Sequence, residues 1–556
     1  MSHALDSGSI VNSVEMKSAK VAADSSRAYR YACYAALIFV LAFFAAIRFH
    51  FRNMPLERDE GEYAYMGQLM LQGVPPFRLA YTMKLPGTSM AYAAMMAVFG
   101  QTVAGIRIGM IVVTTLCSLL VFLLGKRLCG LLAGTIAGIT YVFLAIRPGV
   151  LGMDGHATHF VVLAALAGLL LFLRAIDHPR VILFFASGLL FGLSFLMKQP
   201  GIFFGFFAGC YWLWREWKTG WRWQNALPRG AALMAGTVLP YAMVCWWMLQ
   251  AGVFANFWFW TWTYARAYGS ITSLSDSWHL YLRYTLPWAV RPFILWEIAL
   301  AGLVAPLWSR VAREHGGFVA GFFLISALAV CPGLYFRPHY FILLLPAASL
   351  CVGIAVECAR RELMQKNLPY GAWLPLAVFT VAYVFSIHGQ WKTYFHFDPD
   401  SLSRKMYSDG QAFPEDVQTA ESIQSRSKPQ DEIGILGSEP EICFYTKLRC
   451  ATGYLYMYPL LENQRYGPQM QAEMMQELKN RRPRFLVYVD GSWSWNWKFT
   501  LKEDRPFLAA VWDFAHDGYK EVHQIPVSDH GGEVTHLWGT QPAIYILERQ
   551  DMLSDH

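Results

Sequence analysis

Two acids and a lysine stand close together near the start of the chain. Arg58-Asp59-Glu60-Gly61-Glu62-Tyr63 follows the first long apolar run, and Met83-Lys84-Leu85-Pro86-Gly87 comes soon after. A carboxylate near a cation is what a group transfer to a hydroxyl needs. The carboxylate takes the hydroxyl proton as the new bond forms. The cation holds the departing group, where negative charge builds in the transition state. Asp59 is the candidate base, and Glu60 would orient it or hold hydroxyl groups. Lys84 is the candidate cation, placed by the Leu-Pro-Gly that fixes the chain behind it. The plain alternatives are a solvated acidic pair and a lysine snorkelling at a membrane edge.

Later stretches offer more of the same chemistry. In Tyr335-Phe336-Arg337-Pro338-His339-Tyr340 the Arg337 fork can grip a phosphate, with His339 and Tyr340 as added donors. The same residues would also suit a tight turn with an aromatic belt. Met153-Asp154-Gly155-His156-Ala157-Thr158-His159 admits three readings: a metal site on Asp154, His156 and His159, a helix cap by Asp154, or Asp154 as a second acid facing the acceptor. Lys198-Gln199-Pro200-Gly201 adds charge or ends a helix. The run Phe257, Trp258, Phe259, Trp260, Trp262, Tyr264 in the loop 251–290 lies on a membrane surface or lines a groove for a prenyl chain.

The elements that must position these residues are membrane helices. Of 556 residues, 55% are hydrophobic and 15% charged, and the apolar ones cluster in long runs. The runs predict eleven spans at 31–49, 103–124, 131–147, 160–174, 181–197, 201–214, 231–250, 291–308, 317–335, 340–357 and 371–388. Segment 86–100 is a shorter interfacial or re-entrant helix. Residues 1–30 are polar, and no small-residue cleavage site follows the first run, so that run is expected to stay as a span. The net charge of +7 comes mostly from short loops, which fits the positive-inside rule and argues against nucleic-acid binding. By that rule residues 1–30 form a cytoplasmic tail, 31–390 a transmembrane catalytic domain, and 391–556 an extracytoplasmic domain. In this last part, helical periods at 417–423, 470–478 and about 503–516 alternate with strand-like runs at 433–436, 485–489 and 543–547, which predicts a small α/β domain. Its two cysteines, Cys443 and Cys450, suit a disulfide on the oxidising side or two buried thiols.

Taken together, Arg58-Asp59-Glu60-Gly61-Glu62-Tyr63, Lys84-Leu85-Pro86-Gly87, Lys198-Gln199-Pro200 and Arg337-Pro338-His339-Tyr340 with Leu345-Pro346-Ala347 resemble a known family. They look like bacterial membrane glycosyltransferases of the dolichyl-phosphate-mannose–protein mannosyltransferase superfamily, which have the GT-C fold and count the lipid A aminoarabinose transferases as relatives. The resemblance covers roughly residues 30 to 390. It implies inverting transfer of a sugar from a polyprenyl-phosphate donor to a lipid, polysaccharide or protein hydroxyl, at the outer face of the bacterial inner membrane. It implies no catalytic metal and no cofactor beyond the donor itself. It also implies helices along the membrane surface after Glu60 and at 86–100. The candidate site is then Asp59 and Glu60 for catalysis; Lys84, Arg337, His339 and Arg58 around the donor phosphate; and Asp154, His156, Tyr63 and Tyr340 around the acceptor or sugar. Two other classes compete. A transporter or flippase of lipid-linked sugars would place charges along its spans, and here they gather at one face. A binding or assembly protein would work through residues 391–556.

Overall fold

A computed structural model describes residues 7–269, 273–282, 293–407, 411–495, 504–527 and 542–555. The parts of the aromatic loop at 270–272 and 283–292 lie outside them.

Among the described residues a helix lies on each predicted apolar run. These are α1 (Ser7–His50), α4 (Val103–Cys129), α5 (Leu131–Ala145), α6 (Ala157–Asp177), α7 (Val181–Met197), α8 (Ile202–Lys218), α9 (Trp223–Gln250), α10 (Phe293–Leu303), α11 (Arg310–Val330), α12 (Leu345–Gln365) and α13 (Leu374–His388). Four segments, Arg27–His50, α4, α6 and α9, are long and apolar enough to cross a membrane by length and composition. Several limits differ from the sequence reading. The predicted span 317–335 ends early because Cys331-Pro332-Gly333 cannot continue a helix. The predicted start at 340 is early by five residues, since Pro338–Leu343 forms a 3-10 helix before α12 begins at Leu345.

Small residues let these helices touch, as expected where the solvent offers no hydrophobic push between them. A methyl group at Gly188 of α7 would lie 2.3 Å from the Leu233 carbonyl of α9. One at Gly302 of α10 would lie 1.9 Å from the Cys351 carbonyl of α12. Two shorter helices, α2 (Arg58–Leu71) and α3 (Gly87–Phe99), pack on each other at one end of the bundle.

The C-terminal part holds a five-stranded sheet in the order β2-β1-β3-β5-β4. The strands are β1 (Glu432–Leu436), β2 (Arg449–Cys450), β3 (Phe485–Asp490), β4 (Tyr519–Pro526) and β5 (Ala543–Arg549). β2, β1 and β3 run parallel, while β5 and β4 are antiparallel additions. The central β3 is buried along its whole length, which is why it reads as a continuous apolar run. β4 escaped the sequence reading because it is an edge strand with only Tyr519 and Ile525 buried. Helix α14 (Pro440–Thr446) follows β1 and packs on α2; a methyl at Gly61 of α2 would lie 2.6 Å from the Glu441 nitrogen. The Cys443–Cys450 disulfide ties α14 to β2.

Candidate active site

The start of α2 is fixed by a reciprocal cap. The Glu57 carboxylate accepts the Glu60 amide at 3.1 Å, and the Glu60 carboxylate accepts the Glu57 amide at 3.3 Å. With the helix start locked, side-chain direction follows from helix geometry. Neighbouring residues sit ~100° apart around the axis, and residues three apart only ~60°. Asp59 and Glu62 therefore share a face, and Glu60 points elsewhere. Lys84 Nζ reaches both acids of the shared face, 2.7 Å from Asp59 Oδ1 and 2.6 Å from Glu62 Oε2. It lies 4.6 Å over the Tyr63 ring. Its loop is pressed home behind it, since a methyl at Gly87 would sit 2.4 Å from the Leu196 carbonyl of α7.

Glu60 turns inward and is fully buried. Arg107 of α4 grips its two oxygens at 2.5 and 2.8 Å, and the Tyr92 hydroxyl donates to it at 3.2 Å. Asp154 is buried in the same knot, 3.3 Å from Arg107 Nη2, and accepts the Tyr407 hydroxyl at 2.8 Å. Arg58 turns the other way, toward the C-terminal part. Its Nε donates to the Ser438 carbonyl at 2.6 Å, and its Nη2 lies 3.5 Å from Glu439 Oε1 at the carboxyl end of β1. The structure thus does not bring Arg58, Glu60 or Asp154 to the face that carries Asp59; they brace α2 from two sides.

Asp59, Lys84, Tyr63, Arg337, His339 and Tyr340 do come together, on the wall of one cavity of about 1480 Å3. Lys198, in the turn after α7, faces the same space, its Nζ 3.8 Å from the centroid of the Tyr340 ring. Among the described residues no carboxylate pairs with Arg337 or Lys198. The wall continues past Trp258, Trp262, Tyr268 and Tyr335 on one side and Asn463, Gln464 and Arg465 on another. His156 stacks behind His339, ring centroids 4.0 Å apart.

Charge in this cavity is unevenly shared. Burial alone would raise the Asp59 carboxyl, but Lys84, then Arg337, outweigh it and hold Asp59 below the usual carboxylate range. Asp154 behaves oppositely: burial and the neighbouring Glu60 push its carboxyl up to about 8, against the pull of Arg107. Burial works against the Lys84 ammonium too, yet Asp59 and Glu62 keep it charged well above the ordinary lysine range. Burial draws the Lys198 ammonium down to about 7; Asp59 opposes this and Lys84 and Arg337 add to it. Burial keeps His156 and His339 neutral, His156 down at about 4.

The donor set Asp59, His156 and His339 lies within 4.8 Å, close enough to raise the question of a metal. The imidazole planes are within 15° of parallel, so their lone pairs run side by side. A metal bound to both would lie off both ring planes, with Lys84 already on the shared carboxylate. His159, the third residue of the sequence motif, is buried and is not one of this trio.

Four residues of this arrangement escaped the candidate set. Glu62 stands three residues after Asp59, the spacing of one helix face, and that spacing could have found it. Arg107 is a lone charge inside an apolar run, which in a membrane helix calls for a partner. Lys198 was singled out as added charge but given no role. Tyr456, whose hydroxyl meets Glu62, lies in the C-terminal part and gave no local signal.

The family described as dolichyl-phosphate-mannose-protein mannosyltransferase matches residues 84–259. Undecaprenyl phosphate-alpha-4-amino-4-deoxy-L-arabinose arabinosyl transferase of Pseudomonas aeruginosa is 27% identical over 289 residues, 48% of this chain and 49% of that protein. The chain thus spans about half the length of the curated relative it matches. The crystal structure of ArnT from Cupriavidus metallidurans bound to undecaprenyl phosphate superposes with a TM-score of 0.56 at 16% identity, over 92% of this chain and 97% of that one. The Archaeoglobus fulgidus oligosaccharyltransferase in its apo form gives 0.53 at 12% identity, over 92% and 76%. At these identities the two structures share the fold. Over residues 84–259 this chain is thus similar to the dolichyl-phosphate-mannose-protein mannosyltransferase family, and it shares its fold with the ArnT structure.

Proposed function

We propose that the chain is an inverting glycosyltransferase that takes a sugar from a polyprenyl phosphate and passes it to a hydroxyl of a lipid, glycan or protein. The observation that carries this reading is the convergence of Asp59, Lys84, Lys198 and Arg337 on one cavity. The cavity wall carries Lys84, Lys198, Arg266, Arg337 and Arg465 against the carboxylate of Asp59, with Glu62 behind Lys84, so positive charge is left over for an anion. A sugar phosphodiester brings one negative charge. The ArnT structure of the same fold holds undecaprenyl phosphate, which fits a lipid of this kind entering along Trp258 and Trp262.

On this reading Arg337 and Lys198 hold the phosphate, with Tyr340 as a further donor. The acceptor hydroxyl loses its proton to Asp59 as its oxygen bonds to the anomeric carbon. The bond from that carbon to the phosphate oxygen breaks, and the electron pair leaves with the polyprenyl phosphate. Asp59 is a weak base while Lys84 is held between it and Glu62. An arriving phosphate would share Lys84, and the carboxylate would gain basicity when the donor is in place. His339, His156 and Tyr63 would contact sugar or acceptor hydroxyls, and no metal or other cofactor takes part. The site opens on the extracytoplasmic face of the inner membrane, with the N-terminus in the cytoplasm and the sheet domain in the periplasm.

The test uses the purified chain in proteoliposomes with a panel of labelled undecaprenyl-phosphate sugars and an envelope acceptor extract. Label is expected to move covalently to an acceptor and to stay on the lipid with Asp59→Asn. Sugar crossing the bilayer with no covalent product would replace the transferase by a transporter.

A further inference from the structure

The segment Tyr454-Leu455-Tyr456-Met457-Tyr458 alternates tyrosines with apolar residues, and each hydroxyl meets a charged group. Tyr454 donates to Glu473 at 2.9 Å, Tyr458 receives Arg58, and Tyr456 donates to Glu62 Oε2. The last contact belongs to the site. Glu62 is fully buried, and its Oε1 has no hydrogen-bond partner among the described residues. Its hold therefore rests on Oε2, which takes Lys84 Nζ at 2.6 Å and the Tyr456 hydroxyl. The Tyr456 hydroxyl also lies 3.2 Å from the Arg58 carbonyl on α2. Its ring has Lys84 Nζ 5.6 Å from its centroid and stacks on Tyr458 at 7°. The ring is thus fixed, and only the hydroxyl touches the acid.

We infer that Tyr456 is a positioning residue: from the sheet domain it clamps Glu62 against Lys84 and, through Lys84, fixes Asp59. A chain of contacts runs Tyr456–Glu62–Lys84–Asp59, and only its last two members are proposed to meet the substrate. A buried carboxylate that loses its donor is left with one bond, and Lys84 then has no fixed place between the two acids. Docking of the sheet domain on α2, through Arg58 at the carboxyl end of β1, would complete the site without touching the sugar. The kinetic consequence rests on the transferase reading, whereas the clamp does not.

The test is Tyr456→Phe in the full chain, which keeps the ring and removes the hydroxyl. Lys84 is labelled by reductive methylation and followed by peptide mass spectrometry. Loss of one hydrogen bond to a charged group is expected to speed labelling about tenfold or more, with the melting temperature within about 2 °C of wild type. Transfer is expected to lose about tenfold in kcat with the KM for the donor unchanged within about twofold. In the double-mutant cycle, Glu62→Gln with Tyr456→Phe should fall no further than Glu62→Gln alone. Should Tyr456→Phe not fold, 4-fluorophenylalanine at 456 fills the same space with a group that cannot donate to Glu62, with the same faster labelling expected. Equal Lys84 labelling in wild type and variant overturns the inference. If wild type shows no transfer at all, the transferase reading falls and the labelling rates alone decide the clamp.

Discussion

Asp59 and Glu60 are chemically alike and adjacent, yet their neutralisation should fail in opposite ways. In Asp59→Asn, Lys84 keeps Glu62 at 2.6 Å, and the lost carboxylate is about a quarter exposed (24%). A pair of that kind is worth about 0–1 kcal/mol, so the protein should melt nearly as wild type. Losing a general base costs ~100- to 10,000-fold in turnover, about 3–5 kcal/mol of barrier. In Glu60→Gln, Arg107 is 3% exposed and loses the one carboxylate that grips it with two oxygens. Asp154 is a poor substitute, because it meets Arg107 through a single contact at 3.3 Å and not through both oxygens. Breaking a buried pair from one side costs ~3–5 kcal/mol, a large part of an ordinary ~5–15 kcal/mol margin. The assay pairs detergent-solubilised melting with transfer in proteoliposomes. Asp59→Asn is expected folded and inactive, and Glu60→Gln poorly folded. A Glu60→Gln protein that melts like wild type beside an Asp59→Asn protein that still transfers would refute the assignment of both acids.

Further outcomes follow from the same geometry. Lys198 must be charged to hold phosphate, and burial brings its ammonium to about 7. Affinity for undecaprenyl phosphate should therefore be full below that pH and fall as pH rises through it, up to about tenfold per unit for one linked proton. Lys198→Arg should remove this dependence, measured by thermal shift across pH; identical profiles in both proteins would take Lys198 off the phosphate. Gly61→Ala forces a methyl against Glu441, 2.6 Å from its nitrogen, and should part the sheet domain from α2, read as faster proteolysis of the 391–556 region and loss of transfer. The Cys443–Cys450 bond should appear as a 2 Da mass gain on reduction (~1 Da per hydrogen added). Replacing both cysteines by serine should lower stability by about 2.5 kcal/mol, the loop-closure value for so short a loop.

The helices were legible because apolar runs of membrane length leave few alternatives, and their ends were missed where Pro332 and Pro338 redirect the chain. The site was legible where chemistry lay in one face or one turn: Asp59, Lys84, Arg337, His339 and Tyr340 meet as expected. Rotation about the α2 axis was not legible, and it decides the roles of the neighbouring acids. Only the cap between Glu57 and Glu60 reveals that Glu60 faces Arg107 and that Glu62, one turn on, joins Asp59. Arg58 looked like another phosphate ligand by proximity, but its partners Ser438 and Glu439 lie 380 residues onward and no local pattern points to them. Tyr456 was hidden for the same reason.

The most direct measurement is a cryo-EM map of the full chain in nanodiscs with undecaprenyl phosphate. The phosphate is expected between Arg337, Lys198 and Lys84, with Asp59 on the open side of the cavity and the prenyl tail leaving past Trp258 and Trp262. Head-group density elsewhere on the protein, with this cavity holding only solvent, would contradict the proposed donor site.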